Sequence, residues 1–236
     1  MKKKIDANFI KITNYYEEID KDLVKQSENP NYELHHINLP FRMVICAPSG
    51  SGKSNYVYHL LKLFCHGKGS FDSITIVTQN ADEPLYNQLA RHLKGIQIYE
   101  GIQNIPDLDE YDKTVEHLVI FDDLVLEKQQ SAIESYYMRA RKQHVSVMYL
   151  TQKYFRTPSM IRLNSDYTII LRLDGARDAK LVLTDFGGGL TKLQLERMYQ
   201  YAVEAKFSAL FIDKAKPVNS RFRKDLDEIL DPSDFL

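Results

Sequence analysis

The chain has 236 residues, 44% of them hydrophobic, and a formal net charge of -1. That length suits one α/β domain with appendages and a sizeable core, and leaves two full domains cramped. The near-neutral balance excludes a generally basic nucleic-acid binder, so any DNA contact has to come from a local patch of cations.

From Ile5 to Leu23 apolar residues recur at steps of four and three, the spacing of one helix face, and predict an N-terminal helical arm over residues 1–30 that packs on its own domain or docks on a neighbouring subunit. No apolar run approaches the roughly 18 residues of a membrane-spanning helix, and Met1-Lys2-Lys3-Lys4 leads into a mixed polar segment without a signal-peptide core, so a soluble, non-exported protein is expected. Cys46 in an apolar run and Cys65 at a helix end fit a reduced, intracellular chain without a disulfide framework.

The stretch Met43-Val44-Ile45-Cys46 reads as a strand, and Tyr56-Val57-Tyr58-His59-Leu60-Leu61 as a helix. Between them stands Ala47-Pro48-Ser49-Gly50-Ser51-Gly52-Lys53-Ser54, the strand-to-helix loop of a P-loop. Gly50 and Gly52 can take backbone angles that turn successive N–H groups toward phosphate oxygens. Lys53 would reach the β- and γ-phosphates, and the Ser54 hydroxyl would ligate Mg²⁺, so the loop asks for a nucleoside triphosphate with magnesium. Ala47 stands where the usual pattern has Gly; as the smallest residue with a Cβ it fits the end of a strand. The bland alternative is a Gly/Ser-rich surface loop before an amphipathic helix.

Further along, Ser73–Thr78 reads as a β-branched strand, Asp82–Leu93 as a helix, Ile96–Tyr99 as a short strand and Ile105–Asp109 as a loop. Strands alternating with helices predict an α/β fold with a mostly parallel sheet covered by helices on both faces. The run His117-Leu118-Val119-Ile120-Phe121 ends at Asp122-Asp123, and a strand ending so is expected beside the P-loop strand. Two carboxylates near phosphates call for a metal. Asp122 fits the Walker B aspartate that orders Mg²⁺ through water, and Asp123 the carboxylate that polarises the attacking water. Gln129–His144 reads as a helix closing on Arg139, Arg141, Lys142 and His144. Val145–Leu150 is the next strand, ending at Thr151-Gln152, where the amide of Gln152 can sense the γ-phosphate or help orient water.

Tyr167–Leu173, Leu190–Ala205 and Phe207–Ile212 read as strand, helix and closing strand, with Gly187-Gly188-Gly189 as a flexible joint. Asp185-Phe186-Gly187 copies a protein-kinase tripeptide without its companion motifs, and His59, Cys65 and His66 lack a second pair at zinc spacing. The ATPase domain is set at residues 31–215. In the tail, 216–236, Phe222, Leu226, Ile229 and Leu230 fall on one face of a short helix beside Arg221, Arg223 and Lys224.

Asp-Asp after a hydrophobic strand, then Tyr136-Tyr137-Met138-Arg139-Ala140-Arg141-Lys142, a strand closing in Thr-Gln, Tyr154-Phe155-Arg156-Thr157-Pro158 and Ile161-Arg162-Leu163-Asn164 form an ordered set. It resembles the genome-packaging ATPases of large cytoplasmic DNA viruses and virophages, the poxvirus-type enzymes of the FtsK/HerA group, and runs from about Arg42 to about Leu173. The resemblance implies a RecA-like P-loop core, a homo-oligomeric ring of five or six subunits, and ATP-driven translocation of double-stranded DNA into preformed capsids through contacts with capsid or portal vertex proteins. It implies action in the host cytoplasm, at the viral factory, with the virion as a second location. An arginine finger from the adjacent subunit is also implied: Arg141, eleven residues before Gln152, holds that place, with Arg139 in reserve. Many relatives carry Glu where this chain has Asp123, one methylene shorter, which loosens the assignment of Asp123 as the polarising carboxylate. Lys153, Arg156 and Arg162 form a candidate DNA-binding patch. The competing functions are a related helicase or DNA-segregation motor and a monomeric P-loop phosphotransferase or nucleotide switch. Against the phosphotransferase stands the absence of a recognisable Arg-rich lid and acceptor pocket.

Overall fold

The computed structural model of the protein describes residues 27–93, 95–127 and 130–236, together with residues 14 and 19. The expected arm between Ile5 and Leu23 lies outside the described residues save for those two positions. Among the described residues nine strands make one sheet: β1 (Arg42–Cys46), β2 (Ser73–Thr78), β3 (Ile96–Glu100), β4 (His117–Asp122), β5 (Val145–Thr151), β6 (Tyr167–Leu171), β7 (Ala209–Asp213), β8 (Phe222–Lys224) and β9 (Glu228–Ile229). Their order is β3-β2-β4-β5-β1-β6-β7-β8-β9. The first six in that order run parallel, and β7, β8 and β9 are added antiparallel at the far edge.

Among the described residues seven α-helices flank the sheet: α1 (Tyr32–His35), α2 (Lys53–Phe64), α3 (Pro84–His92), α4 (Ser131–Arg139), α5 (Ser159–Asn164), α6 (Ala176–Thr184) and α7 (Lys192–Ala202). Successive strand side chains point to opposite faces, so a strand buried on both sides must be apolar at every position. In β1, Met43 and Ile45 pack with Val57, Leu60 and Leu61 of α2, while Val44 and Cys46 pack with the α4, α6 and α7 side. Helices thus cover both faces, as the alternation of elements predicts. Between the predicted helix and β5, α4 ends early: Ala140–Gln143 tightens into a 3₁₀ turn and His144, at φ 55, closes it.

Two expectations need correction. The Asp-Asp strand β4 is not beside the P-loop strand β1; β5 lies between them, pairing with both. The register sets Cys46 opposite Thr151 and Asp122 opposite Leu150, so all three strands end at one level and Gln152 falls between the P-loop and the carboxylates. The tail does not form a helix over Phe222–Leu230. It makes the hairpin β8–β9, and the only helical turn there is the 3₁₀ turn Pro232–Phe235. Residues 222, 226 and 230 share a face at period two as well as at period 3.6. What decides is β7, whose outer edge needs a strand partner: Phe222 pairs with Ile212, and Asp225 turns the chain at φ 55.

Candidate active site

β1 delivers the chain to Ala47, whose N–H donates to the Thr151 carbonyl at 3.0 Å and whose methyl is fully buried in the α2-side core. Alanine in place of glycine therefore fills space under the loop without entering it. Gly50 and Gly52 sit at φ 74 and φ 97, angles closed to ordinary side chains, and the Ser51 hydroxyl donates to the Pro48 carbonyl at 2.7 Å to brace the turn. α2 begins at Lys53 with no side-chain cap, which leaves its first N–H groups for an anion.

Lys53 Nζ lies 3.1 Å from Asp122 Oδ1, with side-chain exposures of 11% and 8%. The same Oδ1 is buried and accepts no hydrogen bond besides this ion pair. The other oxygen, Oδ2, accepts from the Tyr86 hydroxyl of α3 at 2.5 Å. Burial, reinforced by the negative charge of Asp122, holds the Tyr86 phenol far above its ordinary pKa, so it stays a donor. One residue on, Asp123 occupies φ 55, and this left-handed turn brings its side chain out into the cleft, where Oδ1 accepts from Gln152 Nε2 at 3.1 Å.

These groups line a cleft of 430 Å³ at the carboxyl ends of the parallel strands, formed by Pro48–Gly50, Gly52–Asn55, Asp122, Asp123 and Gln152. That is the edge where ligands bind in open α/β sheets. The sequence-predicted Lys53, Ser54, Asp122, Asp123 and Gln152 all meet here. Thr78, Gln79, Asn80 and Glu83 also line the cleft, and Tyr86 holds Asp122 from behind it; none of these was read from the sequence. The signal available for Thr78, Gln79, Asn80 and Glu83 was their place at or just past the end of the predicted strand β2.

The donors suit magnesium. The Ser54 hydroxyl and the Asp122 carboxylate are hard oxygen ligands, and Mg²⁺ is bound by one or two carboxylates together with waters and substrate phosphates. Asp122 Oδ1 has the Lys53 ammonium as its one close partner, and it becomes an acceptor for such an ion when Lys53 turns to the phosphates.

Arg141 lies elsewhere. Its Nη1 is 3.7 Å from Asp166 Oδ1, the carboxylate that Arg42 already grips through two nitrogens. Arg42 opens β1 and the P-loop follows its end, so a strand of five residues, about 16 Å, separates Arg141 from Lys53 in one chain. Arg139 is held by both oxygens of Asp109. Of the three cations past β5, Lys153 and Arg156 are exposed, whereas Arg162 pairs with Asp185 at 2.9 Å and its guanidinium lies 5.2 Å from the rings of Tyr154 and Phe155. Phe186 also packs on Tyr154, so the Asp185-Phe186 pair buttresses this loop.

Residues 31–185, more than half of the chain, match the sequence model of the poxvirus A32 protein family. No curated protein matches the chain. In fold the chain is similar to the genome packaging NTPase B204 from Sulfolobus turreted icosahedral virus 2 in complex with sulfate, at 13% identity and a TM-score of 0.58 over 77% of this chain and 95% of that one. The same NTPase in complex with ATP-gammaS gives 14% identity and a TM-score of 0.52 over 75% and 94%. The pCW3 conjugation coupling protein TcpA, with ATPgS, gives 15% and 0.50 over 84% of this chain and 65% of that one. At such identities the likeness is one of fold. The chain therefore belongs to the poxvirus A32 protein family, and it is a P-loop ATPase of the DNA-translocating kind.

Proposed function

We propose that the chain works in a ring of identical subunits that hydrolyse ATP with Mg²⁺ and drive double-stranded viral DNA into preformed capsids, engaging capsid or portal vertex proteins in the host cytoplasm. The observation that carries this reading is the meeting, in one 430 Å³ cleft, of an anion-ready loop, the buried Lys53–Asp122 pair and the Asp123–Gln152 pair.

In this reading Lys53 exchanges its contact with Asp122 for the phosphates, which carry more charge. Ser54 and Asp122 would hold Mg²⁺, and the ion supplies charge neutralisation on the phosphate oxygens. Asp123 accepts a hydrogen bond from the attacking water and polarises it, and Gln152 keeps that carboxylate aimed and reports on the terminal phosphate. The distance of Arg141 from the P-loop supports its action on a neighbour's nucleotide rather than its own. Lys153 and Arg156 serve as phosphate contacts for DNA, with Arg162 as the brace of their loop.

ATP turnover with and without double-stranded DNA tests the reading. The wild type is expected to turn over faster with DNA, and Lys53→Ala to lose turnover in both conditions. Turnover indifferent to DNA, or transfer of phosphate to a nucleoside in place of water, would contradict it.

A further inference from the structure

The cleft occupies one flank of the P-loop. On the other flank, toward β7, lies a groove of 840 Å³ between α1, α2, the chain entering β7 and the turn joining β8 to β9. Asn55, Tyr56, His59, Lys206, Phe207 and Asp225 are among its walls, and Asn55 also lines the cleft, so the two cavities adjoin at the first turn of α2.

Two features of this groove have no explanation in the packing of the fold. Phe207 keeps 41% of its surface exposed although its backbone sits at φ 71, a conformation costly for a bulky side chain. Strain of this kind is held where it positions a group, and here it does not bury the ring. Instead it sets the ring against the P-loop: a Cβ on Gly52 would fall 2.2 Å from Phe207 Cδ1. The second feature is Tyr56, a residue of the groove wall only 6% exposed, whose buried hydroxyl has no hydrogen-bond partner. Most buried hydroxyls in folded proteins have a partner.

The arrangement of the cleft fixes the direction in which a bound nucleotide runs. Asp122, Asp123 and Gln152 stand on the β4–β5 side of the loop, so the terminal phosphate faces that way and the nucleoside leaves past Asn55 on the opposite flank. We infer that the groove is the nucleoside site: the base stacks on Phe207, and the Tyr56 hydroxyl bonds a polar atom of the nucleoside. Lys206, whose Nζ lies over the Phe207 ring 4.8 Å from its centre, adds a mobile cation at the same platform. This rests on the nucleotide reading of the cleft and adds which residues recognise the part of the ligand that is not phosphate.

The chain contains no tryptophan, so Phe207→Trp introduces a single indole emitter at the platform. MgATP is expected to change its emission, whereas inorganic tripolyphosphate, which carries the phosphates without a base, binds without that change. Phe207→Ala is expected to weaken ATP binding by about 5- to 150-fold, the worth of one aromatic–base stack, and to leave tripolyphosphate binding as it was. Tyr56→Phe is expected to weaken ATP by about 2- to 10-fold with the same indifference to tripolyphosphate. Wild-type ATP affinity in Phe207→Ala, or equal losses for both ligands, would overturn the inference, because the ring would then only support the loop. An indole signal that follows protein concentration and ignores ATP would also overturn it and give the groove to a neighbouring subunit. A wild type that binds neither ligand, with Lys53→Ala no different, would instead sink the nucleotide reading of the cleft itself.

Discussion

Asp122 is held at both oxygens, by Lys53 on one side and by Tyr86 on the other, and this geometry makes Tyr86 a positioning residue for the carboxylate. A hydrogen bond to a charged group contributes about 1.5–3 kcal/mol, so Tyr86→Phe should lower kcat by about 10- to 100-fold. It should also raise the Mg²⁺ concentration needed for half-maximal turnover while the KM for ATP moves little. A magnesium titration of turnover measures both; a profile identical to wild type would leave Tyr86 with a packing role only. The loop and the carboxylates of the cleft were legible because Ala47 to Ser54 are contiguous and because Asp122 and Asp123 end an apolar run. Tyr86 was not: it lies 36 positions before Asp122 on an amphipathic helix, where its spacing is that of an ordinary core residue, and only the packing of α3 against the sheet brings the two together.

At the scale of elements, the parallel strands were legible as near-continuous apolar runs, and β2 was read with both its ends correct. The insertion of β5 between β1 and β4 was not, since strand order leaves no trace in local pattern. The helix α6 went unread, although Ala179, Val182 and Leu183 have helical spacing, and the tail was read at the wrong period. The hairpin β8–β9 is tied down by Arg223, buried at 7% side-chain exposure against Asp213 of β7 at 3.4 Å and stacked 4.5 Å from the centre of the Phe211 ring. Removing one partner of a buried ion pair strands the other, at a cost of about 3–5 kcal/mol. Arg223→Met should therefore destabilise the fold by that amount in urea unfolding, and adding Asp213→Asn should cost less than the sum of the two single changes. An unfolding midpoint unmoved by Arg223→Met would mean that the hairpin is peripheral to stability.

For the whole molecule, the position of Arg141 is the decisive fact. A cation about a strand's length from its own P-loop cannot serve its own nucleotide, and its contact with Asp166 is loose at 3.7 Å while Arg42 takes the closer positions. Fingers supplied in trans contribute about 10³ to 10⁵ in rate. Arg141→Ala and Asp123→Asn subunits, each inactive alone, should regain partial turnover when mixed, because some interfaces then pair an intact Asp123 site with an intact Arg141. Full activity of Arg141→Ala alone would discard the residue as the finger.

Movement along DNA is the central claim, and displacement of a fluorescent triplex-forming strand from a double-stranded DNA tests it most directly. The wild type with ATP and Mg²⁺ is predicted to release the strand in step with hydrolysis, while Lys53→Ala, or a non-hydrolysable analogue in place of ATP, releases none. Hydrolysis that DNA stimulates but that never displaces the strand would contradict the account.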